Sequence, residues 1–184
     1  SLNFLIILFF SYLLIEKTNF LPISDEITIL ILFIFIFIIF NFFGKNFLGD
    51  GGVYLLSFFL SIIIIYISMF SEQISPYYIA NLLWYPAFEN LFSIFRRTIY
   101  KKKNYKADND HLHQLIFKYF KRKNYIEKKY LLSSLIGIAI NTYLFLFYIA
   151  GFVDYSDTKL QLILIFSNTL IYIIVYLILK KKNL

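Results

Sequence analysis

The chain contains no cysteine among its 184 residues. This absence excludes a disulfide framework, a thiolate metal site and a cysteine nucleophile. The sequence is already apolar at Leu2 and shows no charged segment followed by a small-residue cleavage site. It therefore lacks the pattern of a secretory signal peptide.

Charged residues are scarce, at 16% of the chain, whereas hydrophobic residues make up 60% and aromatic residues 22%. A soluble domain of this length could not bury so much apolar surface. Apolar runs of roughly 18 or more residues are typical of transmembrane helices, because lipid forces each backbone polar group to find a partner within its own segment. The sequence therefore predicts an all-α fold, a polytopic membrane helix bundle of about six transmembrane helices.

The predicted spans cover residues 3–15, 27–43, 53–70, 76–95, 130–150 and 160–179. They form a single transmembrane domain over residues 1–184, with one long polar loop at residues 96–129. Within that loop, apolar residues recur at helical spacing opposite basic ones, namely Leu112, Leu115, Ile116, Tyr119 and Phe120 against Lys118, Lys121 and Arg122. This pattern predicts a cytoplasmic amphipathic helix lying at the membrane surface.

The net charge of +7 comes mostly from basic residues between the spans. Membrane topology explains this charge better than a nucleic-acid partner does, so we expect no nucleic acid to bind. Six spans would place the loops at residues 43–52 and 96–129 and the carboxyl terminus on one side, together with most lysines and arginines. By the positive-inside rule that side is cytoplasmic. The basic run at residues 101–106 is also expected to attract anionic membrane lipid headgroups.

A short polar segment, Phe-Gly-Lys-Asn-Phe-Leu-Gly-Asp-Gly-Gly at residues 43–52, separates two apolar runs. Its glycines at positions 49, 51 and 52 permit positive φ angles and let a ligand approach the backbone closely. Asp50 supplies a hard anionic oxygen of the kind that Mg²⁺ prefers. The alternative is a tight turn in which Asp50 caps the next helix.

A second polar segment, Asp-Asn-Asp-His-Leu-His-Gln at residues 108–114, holds both histidines of the chain. Two residues at i and i+2 diverge on a helix but can converge where an extended segment enters a helix. Histidines flanked by basic residues suit hydrogen bonding to phosphate oxygens. A zinc site is a weaker alternative, because it needs three or four ligands, and incidental histidines in a solvated loop are the third interpretation.

The fourth predicted span contains Pro86 and Glu89. Proline at that depth is expected to bend or break the helix. An acid within a span is costly and needs a partner, such as Asn90, a basic residue or a bound ligand. On their own, Arg96 and Arg97 would be ordinary anchors at the end of a span.

Taken together, three segments resemble the polyprenyl-phosphate N-acetylhexosamine-1-phosphate transferases of glycosyltransferase family 4. Residues 41–52 are similar to the Phe-(Leu/Met)-Gly-Asp loop of that family, and residues 85–97 to the segment before its histidine loop. Residues 110–115 are similar to its His-x-His motif. The order, the spacing and the predicted cytoplasmic side all agree, and the resemblance covers nearly the whole chain.

The resemblance implies a Mg²⁺-dependent phosphotransferase. Undecaprenyl phosphate, or another polyprenyl phosphate, would attack the β-phosphate of a UDP-N-acetylhexosamine, giving polyprenyl-diphosphate-sugar and UMP. The His-x-His form favours GlcNAc-1-phosphate as the transferred group, in the initiation of a cell-surface glycan such as peptidoglycan or the O-antigen of lipopolysaccharide. The resemblance also implies the inner membrane of a bacterium and a possible homodimer.

The resemblance further implies roles for individual residues. Asp50 would be a catalytic residue and the metal ligand, and His111 and His113 would be catalytic residues that contact the diphosphate or the uridine. Span four would line the groove for the lipid chain. The substrate-binding residues would be Asn41, Lys45, Gly49, Gly51, Glu89, Arg96 and Arg97.

One departure from the family concerns its paired aspartates, which normally lie upstream of this region. The chain has no Asp-Asp pair. We therefore expect it to be the C-terminal portion of a longer enzyme of about ten or eleven spans, and to be catalytically inert alone. Detectable sugar-1-phosphate transfer by the purified chain would contradict that expectation.

Other interpretations remain open at this point. The chain could be a non-catalytic membrane module that binds polyprenyl phosphate or a partner, or a fragment of the phospho-N-acetylmuramoyl-pentapeptide transferase branch. A small transporter or channel ranks last, because the predicted spans carry few polar residues beyond Asn81, Glu89, Asn90, Asn141 and Asn168.

Overall fold

The computed structural model describes residues 2–17, 24–70, 73–99, 110–123 and 128–183. These residues form an all-helical structure, which confirms the predicted fold class. The basic run at residues 101–106 lies outside the described residues. In chain order the helices are α1 (Leu2–Lys17), α2 (Ser24–Phe42), α3 (Gly49–Phe70), α4 (Pro76–Leu82), α5 (Trp84–Ile99), α6 (Leu112–Arg122), α7 (Lys129–Val153) and α8 (Thr158–Asn183).

Within the described residues, four helices are long and apolar enough to cross a membrane. They are α2, α3, α7 and α8, so a membrane protein is supported, but the predicted six spans are not confirmed. Helix α1 has only 16 residues. The predicted fourth span consists of two separate helices, α4 and α5.

The break in the fourth span confirms the effect expected of Pro86. Helix α4 ends at Leu82 and α5 begins at Trp84, so Pro86 is the third residue of the new helix. The first backbone N–H groups of a helix have no partner within it, and a proline there leaves no hydrogen bond unmade. The new helix then continues past residue 95 to Ile99, so Arg96 and Arg97 are helical and do not belong to the following loop.

The glycine-rich segment is shorter than the sequence predicts. Gly49, with a φ of 64°, begins α3, and residues 50–52 already belong to its first turn. Of the three glycines that could take positive φ, Gly49 does so, whereas Gly51 and Gly52 are helical. The only connecting residues between α2 and α3 are at positions 43–48, and Gly44 has a φ of 69°.

Helix α1 lies inside the bundle, although it is short. It packs against α2, α3 and α7, and its buried side chains include Ile7, Leu8 and Leu14. The Phe10 ring contacts the rings of Phe145, Tyr148 and Phe152 on α7, at 5.6 to 5.9 Å between centroids. By contrast, α2 and α3 expose many large apolar side chains, as lipid-facing helices do, among them Leu32, Phe33, Phe35, Ile36, Tyr54, Leu55 and Phe58.

Helix α6 is the predicted amphipathic helix, and its existence is confirmed. Leu112 and Leu115 are buried, and the helix packs against α7 and α8. Lys121 and Arg122 are exposed on its other side. Its apolar side therefore contacts protein, while its location at a membrane surface stays a prediction.

A network of buried amides joins α4, α7 and α8 at the end of the bundle away from α6. Gln161 donates hydrogen bonds to the carbonyl oxygens of Gly151 at 2.8 Å and Asp154 at 2.9 Å. Its own carbonyl oxygen accepts a hydrogen bond from Asn81 at 3.2 Å. Because buried polar groups need partners, this network fixes the register of the three helices.

Replacement of Gly151 by alanine should destabilise the protein. A Cβ there would lie 2.8 Å from Asn81 Nδ2 and 2.8 Å from Gln161 Oε1. Overpacking of this kind typically costs about 1–3 kcal/mol. Gly137→Ala is the matched control on the same helix, because a Cβ there meets nothing within 4 Å. Thermal unfolding in detergent should show a lower midpoint for Gly151→Ala only, and equal midpoints would contradict the packing described.

Candidate functional site

The carboxyl group of Glu89 on α5 joins three helices. Its Oε1 atom lies 3.0 Å from His111 Nδ1 and accepts a hydrogen bond from the backbone N–H of Leu112 at 3.0 Å. Its Oε2 atom accepts a hydrogen bond from the hydroxyl of Tyr172 on α8 at 2.8 Å. Glu89 is 8% exposed, so these contacts are shielded from solvent. Two partners expected for Glu89 were a basic residue and Asn90. The structure shows a basic residue, His111, in contact with Glu89, whereas Asn90 is exposed and is not its partner.

The start of α6 explains why these groups meet. His111 precedes the helix in an extended conformation, and its backbone N–H donates to the side-chain oxygen of Gln114 at 3.2 Å. The first N–H groups of a helix lack internal partners and favour a negatively polarised group. Glu89 supplies that group to the Leu112 N–H from another helix. The side chain that caps α6 is therefore also the one that contacts a histidine.

The two histidines converge, which the extended conformation of His111 before the helix allows. Their rings are stacked, with centroids 5.7 Å apart and planes inclined by 13°. Partial burial lowers the pKa of His113 below its usual value, Glu89 opposes that effect, and the neighbouring His111 adds to it. His113 is thus biased toward its neutral form.

Asp110 is the residue directly before His111, and its carboxylate contacts three cationic side chains. Its Oδ2 atom lies 2.8 Å from Lys180 Nζ and 3.1 Å from Arg96 Nη1, and its Oδ1 atom lies 3.4 Å from Lys118 Nζ. Arg96 is buried, and its guanidinium also lies 5.9 Å from the ring centre of Tyr176. Among the described residues, one carboxylate thus faces three cations.

An aromatic ladder aligns α5 with α8 beneath these groups. Tyr172 makes edge-on contacts with Trp84 at 6.1 Å, Phe88 at 5.0 Å and Phe92 at 5.4 Å between centroids. Phe92 also contacts Tyr176 at 4.8 Å. Edge-to-face pairs of this geometry add about 0.5–1.5 kcal/mol each to area burial. They hold Glu89 opposite Tyr172 and Arg96 beside Tyr176.

An open cavity of about 910 Å³ borders His113. Among its described lining residues are basic and polar side chains, namely His113, Gln114, Lys118, Lys121 and Lys129, and none is an aspartate or glutamate. On α7 the wall begins at Lys129 and continues with apolar residues such as Ile136 and Ile140, next to Ser133 and Asn141. Phe47, from the loop before α3, also lines it, so the structure brings that loop and the histidine segment to the same end of the bundle.

A second cavity of about 590 Å³ adjoins the first and shares Phe47, Ser133 and Asn141 with it. Asn41 lines this second cavity and donates a hydrogen bond to the backbone oxygen of Asn46 at 2.7 Å, which stabilises the loop. Asn41 therefore lies in the wall of the second cavity, next to the candidate site.

The structure brings together some of the predicted site residues and leaves others apart. Glu89, Arg96, His111 and His113 form one cluster, and half-buried Arg97 lies next to Arg96 on α5. The remaining four predicted residues are exposed near the start of α3 and line neither cavity, namely Lys45, Gly49, Asp50 and Gly51.

Asp50 is the residue for which the sequence predicts a metal-binding role. Within the part of the chain that the structure describes, no group of three or more His, Cys, Asp or Glu side chains could hold a metal ion. Asp50 is exposed in the first turn of α3. Mg²⁺ in phosphoryl-transfer sites is held by one or two carboxylates, with phosphate oxygens and water as further ligands. Asp50 can supply one such ligand, and its metal role stays a proposal.

Sequence reasoning missed four residues that complete the cluster, namely Asp110, Lys118, Tyr172 and Lys180. A signal for two of them was present. Polar and tyrosine side chains recur along one side of α8 at helical spacing, at positions 161, 168, 172, 176 and 180. Such a stripe in an apolar helix indicates a face turned toward protein.

Comparison of the chain with protein-family models, curated proteins and solved structures finds no match. The family resemblance carried by the three sequence segments therefore stays a prediction.

Tyr172→Phe should weaken the site without removing its ring contacts. The change deletes the hydroxyl that donates to Glu89 Oε2 and should lower the free energy of unfolding by about 1–2 kcal/mol. Tyr77→Phe, on the exposed side of α4, is the control. Denaturant titration of both variants measures the difference, and equal stabilities would contradict the importance of this hydrogen bond.

Because of His113, the stability of the protein should decrease as the pH falls. The unfolded chain binds the imidazole proton more readily than the folded one, because the pKa of His113 is lowered on folding from near 6.5. The stabilisation from neutral His113 is thus fully present above that pH and is lost as the pH falls below it. Melting curves between pH 8 and pH 5 should show a smaller acid-induced loss for His113→Gln than for the unmodified chain. An identical loss in both would contradict the lowered pKa.

Proposed function

We propose that the chain belongs to a membrane transferase that moves N-acetylhexosamine-1-phosphate, with GlcNAc-1-phosphate favoured, from a UDP-sugar to a polyprenyl phosphate. The observation that carries this proposal is the cavity beside His113. It combines cationic side chains, without an acid among its described lining residues, with apolar residues of α7. Both substrates of such a reaction carry phosphate, and one of them also carries a long hydrocarbon chain.

The cationic side chains suit a diphosphate. Lys118, Lys121 and Lys129 line the cavity together with His113. Ammonium and imidazole N–H groups form charge-assisted hydrogen bonds to phosphate oxygens, which are about twice as strong as neutral ones. Phosphoryl transfer depends mainly on such positioning and charge neutralisation. These residues would hold the donor diphosphate while the lipid phosphate oxygen bonds to its β-phosphorus and UMP leaves.

The apolar residues suit the lipid acceptor. Ile136, Gly137 and Ile140 lie on α7, which is one of the helices long enough to span a membrane. A polyprenyl chain that lies along α7 would bring its phosphate to the lysines near the start of that helix. The same cavity would then hold the diphosphate of the UDP-sugar and the phosphate of the lipid.

Two further parts of the proposal rest on the sequence resemblance. Asp50 would hold Mg²⁺, which neutralises charge on the diphosphate when bound. The grouping of Lys118, Lys129 and Lys180 at one end of the bundle supports the cytoplasmic side of a bacterial inner membrane, where positively charged loops are enriched.

Binding of UDP-GlcNAc to the chain in lipid nanodiscs tests the proposal directly. Binding is the suitable readout because the sequence contains no paired aspartates. We expect saturable binding that Lys121→Met weakens about tenfold, the effect of one lost charge-assisted hydrogen bond of about 1.4 kcal/mol. Isothermal calorimetry with Mg²⁺ present measures both quantities.

Lys123→Met is the matched control, because Lys123 follows α6, carries the same charge and does not line the cavity. It should bind UDP-GlcNAc as the unmodified chain does. Absence of binding in the unmodified chain, or equal weakening by both variants, would refute the proposed role of the cavity.

A further inference from the structure

We propose that Lys180, near the end of α8, is a positioning residue for the two histidines. Its ammonium group holds Asp110, and Asp110 is the residue directly before His111. Through this contact the carboxyl-terminal helix would set where α6 begins and how its histidines face the cavity.

Among the described cations that contact Asp110, Lys180 lies nearest, at 2.8 Å against 3.1 Å for Arg96 and 3.4 Å for Lys118. Asp110 is 16% exposed and Lys180 is 32% exposed. Ion pairs that are largely withdrawn from water are weakened less by salt and solvent than surface pairs are. This pair can therefore hold a defined geometry.

The three cations hold Asp110 in different ways. Lys118 is part of α6 itself, so its contact cannot place that helix relative to the bundle. Arg96 connects Asp110 to α5, and Lys180 connects it to α8. Among the three, Lys180 alone links the start of α6 to the carboxyl-terminal helix.

Helix α8 reaches the same segment at a second point. Tyr172 donates to Glu89, which in turn accepts from the Leu112 N–H and contacts His111. Tyr172 and Lys180 are eight residues apart and so share one side of α8, separated by about 12 Å along its axis. The residues on either side of His111 are therefore held from α8, the following one through Glu89 and the preceding one through Lys180.

The run of three lysines at the end of α8 provides a matched comparison. Lys181 is the next residue and is exposed, and Lys182 lies 5.5 Å from the ring centre of Tyr119. Lys180→Met and Lys181→Met remove the same charge from adjacent positions. Only the first removes the contact with Asp110.

Histidine NMR gives the readout, because the chain has only two histidines and both lie in this segment. The full chain, labelled with ¹⁵N-histidine in nanodiscs, should give two sets of imidazole signals. At about pH 7.5, where an ordinary histidine is mostly neutral, Lys180→Met should shift or broaden both sets. Lys181→Met should leave them unchanged, and Lys180→Arg should restore them.

A double-mutant cycle provides a second test and does not depend on one variant folding well. If Lys180 acts through Asp110, the spectrum of Asp110→Asn should already show the displaced signals. Adding Lys180→Met to that variant should then change little, because contacting residues are not additive. Signals in Lys180→Met and Asp110→Asn that match those of Lys181→Met would overturn the inference.

The consequence for ligand binding rests on the proposed function. If the cavity binds a UDP-sugar, Lys180→Met should weaken UDP-GlcNAc binding about tenfold, since a displacement of about 1 Å is costly for a positioned group, and Lys180→Arg should recover most of it. The two ideas fail separately. Failure of the proposed function would appear as no binding by the unmodified chain, and failure of this inference as unchanged histidine signals in Lys180→Met.

Discussion

The carboxyl group of Glu89 is the contact on which the candidate site depends. It accepts the first N–H of α6, contacts the imidazole of His111 and accepts the hydroxyl of Tyr172. A buried acid is costly unless every lone pair finds a donor. Because its donors come from α6, its N-cap residue and α8, satisfying Glu89 requires all three to be in place. The capping of α6, the orientation of His111 and the packing of α5 against α8 therefore all depend on Glu89.

The charged residues around this arrangement determine which kind of ligand it suits. Asp110 contacts three cations among the described residues, and the adjoining cavity is lined by further lysines and by no described acid. An anionic ligand would meet positive charge at the cavity mouth and apolar side chains along α7. The same positive charge, collected at one end of a bundle with apolar helices, is the pattern that orients membrane proteins. The cationic residues that would orient the protein in the membrane are thus also those that would contact an anionic ligand.

Much of this could be predicted from the sequence, and the part that could not has physical reasons. Long apolar runs predict helices because lipid requires each backbone polar group to be paired within its own segment, and the amphipathic spacing of residues 112–122 predicts α6. The predicted six spans are not confirmed, because hydropathy does not detect that the predicted fourth span divides into α4 and α5 near Pro86 or that α1 has only 16 residues. Glycine content suggested a longer loop, whereas residues 50–52 adopt helical geometry. Asp110 and Lys180 are 70 residues apart, and such a contact depends on tertiary packing that local patterns do not encode.

The most direct test of the account is the response of the two histidine NMR signals to ligand. UDP-GlcNAc with Mg²⁺ would be titrated into the labelled chain in nanodiscs, with uridine as the neutral comparison. The account predicts a saturable shift of the His113 signals with UDP-GlcNAc and little change with uridine, because the cavity holds the diphosphate. Histidine signals that do not respond to UDP-GlcNAc, or that respond equally to uridine, would contradict it.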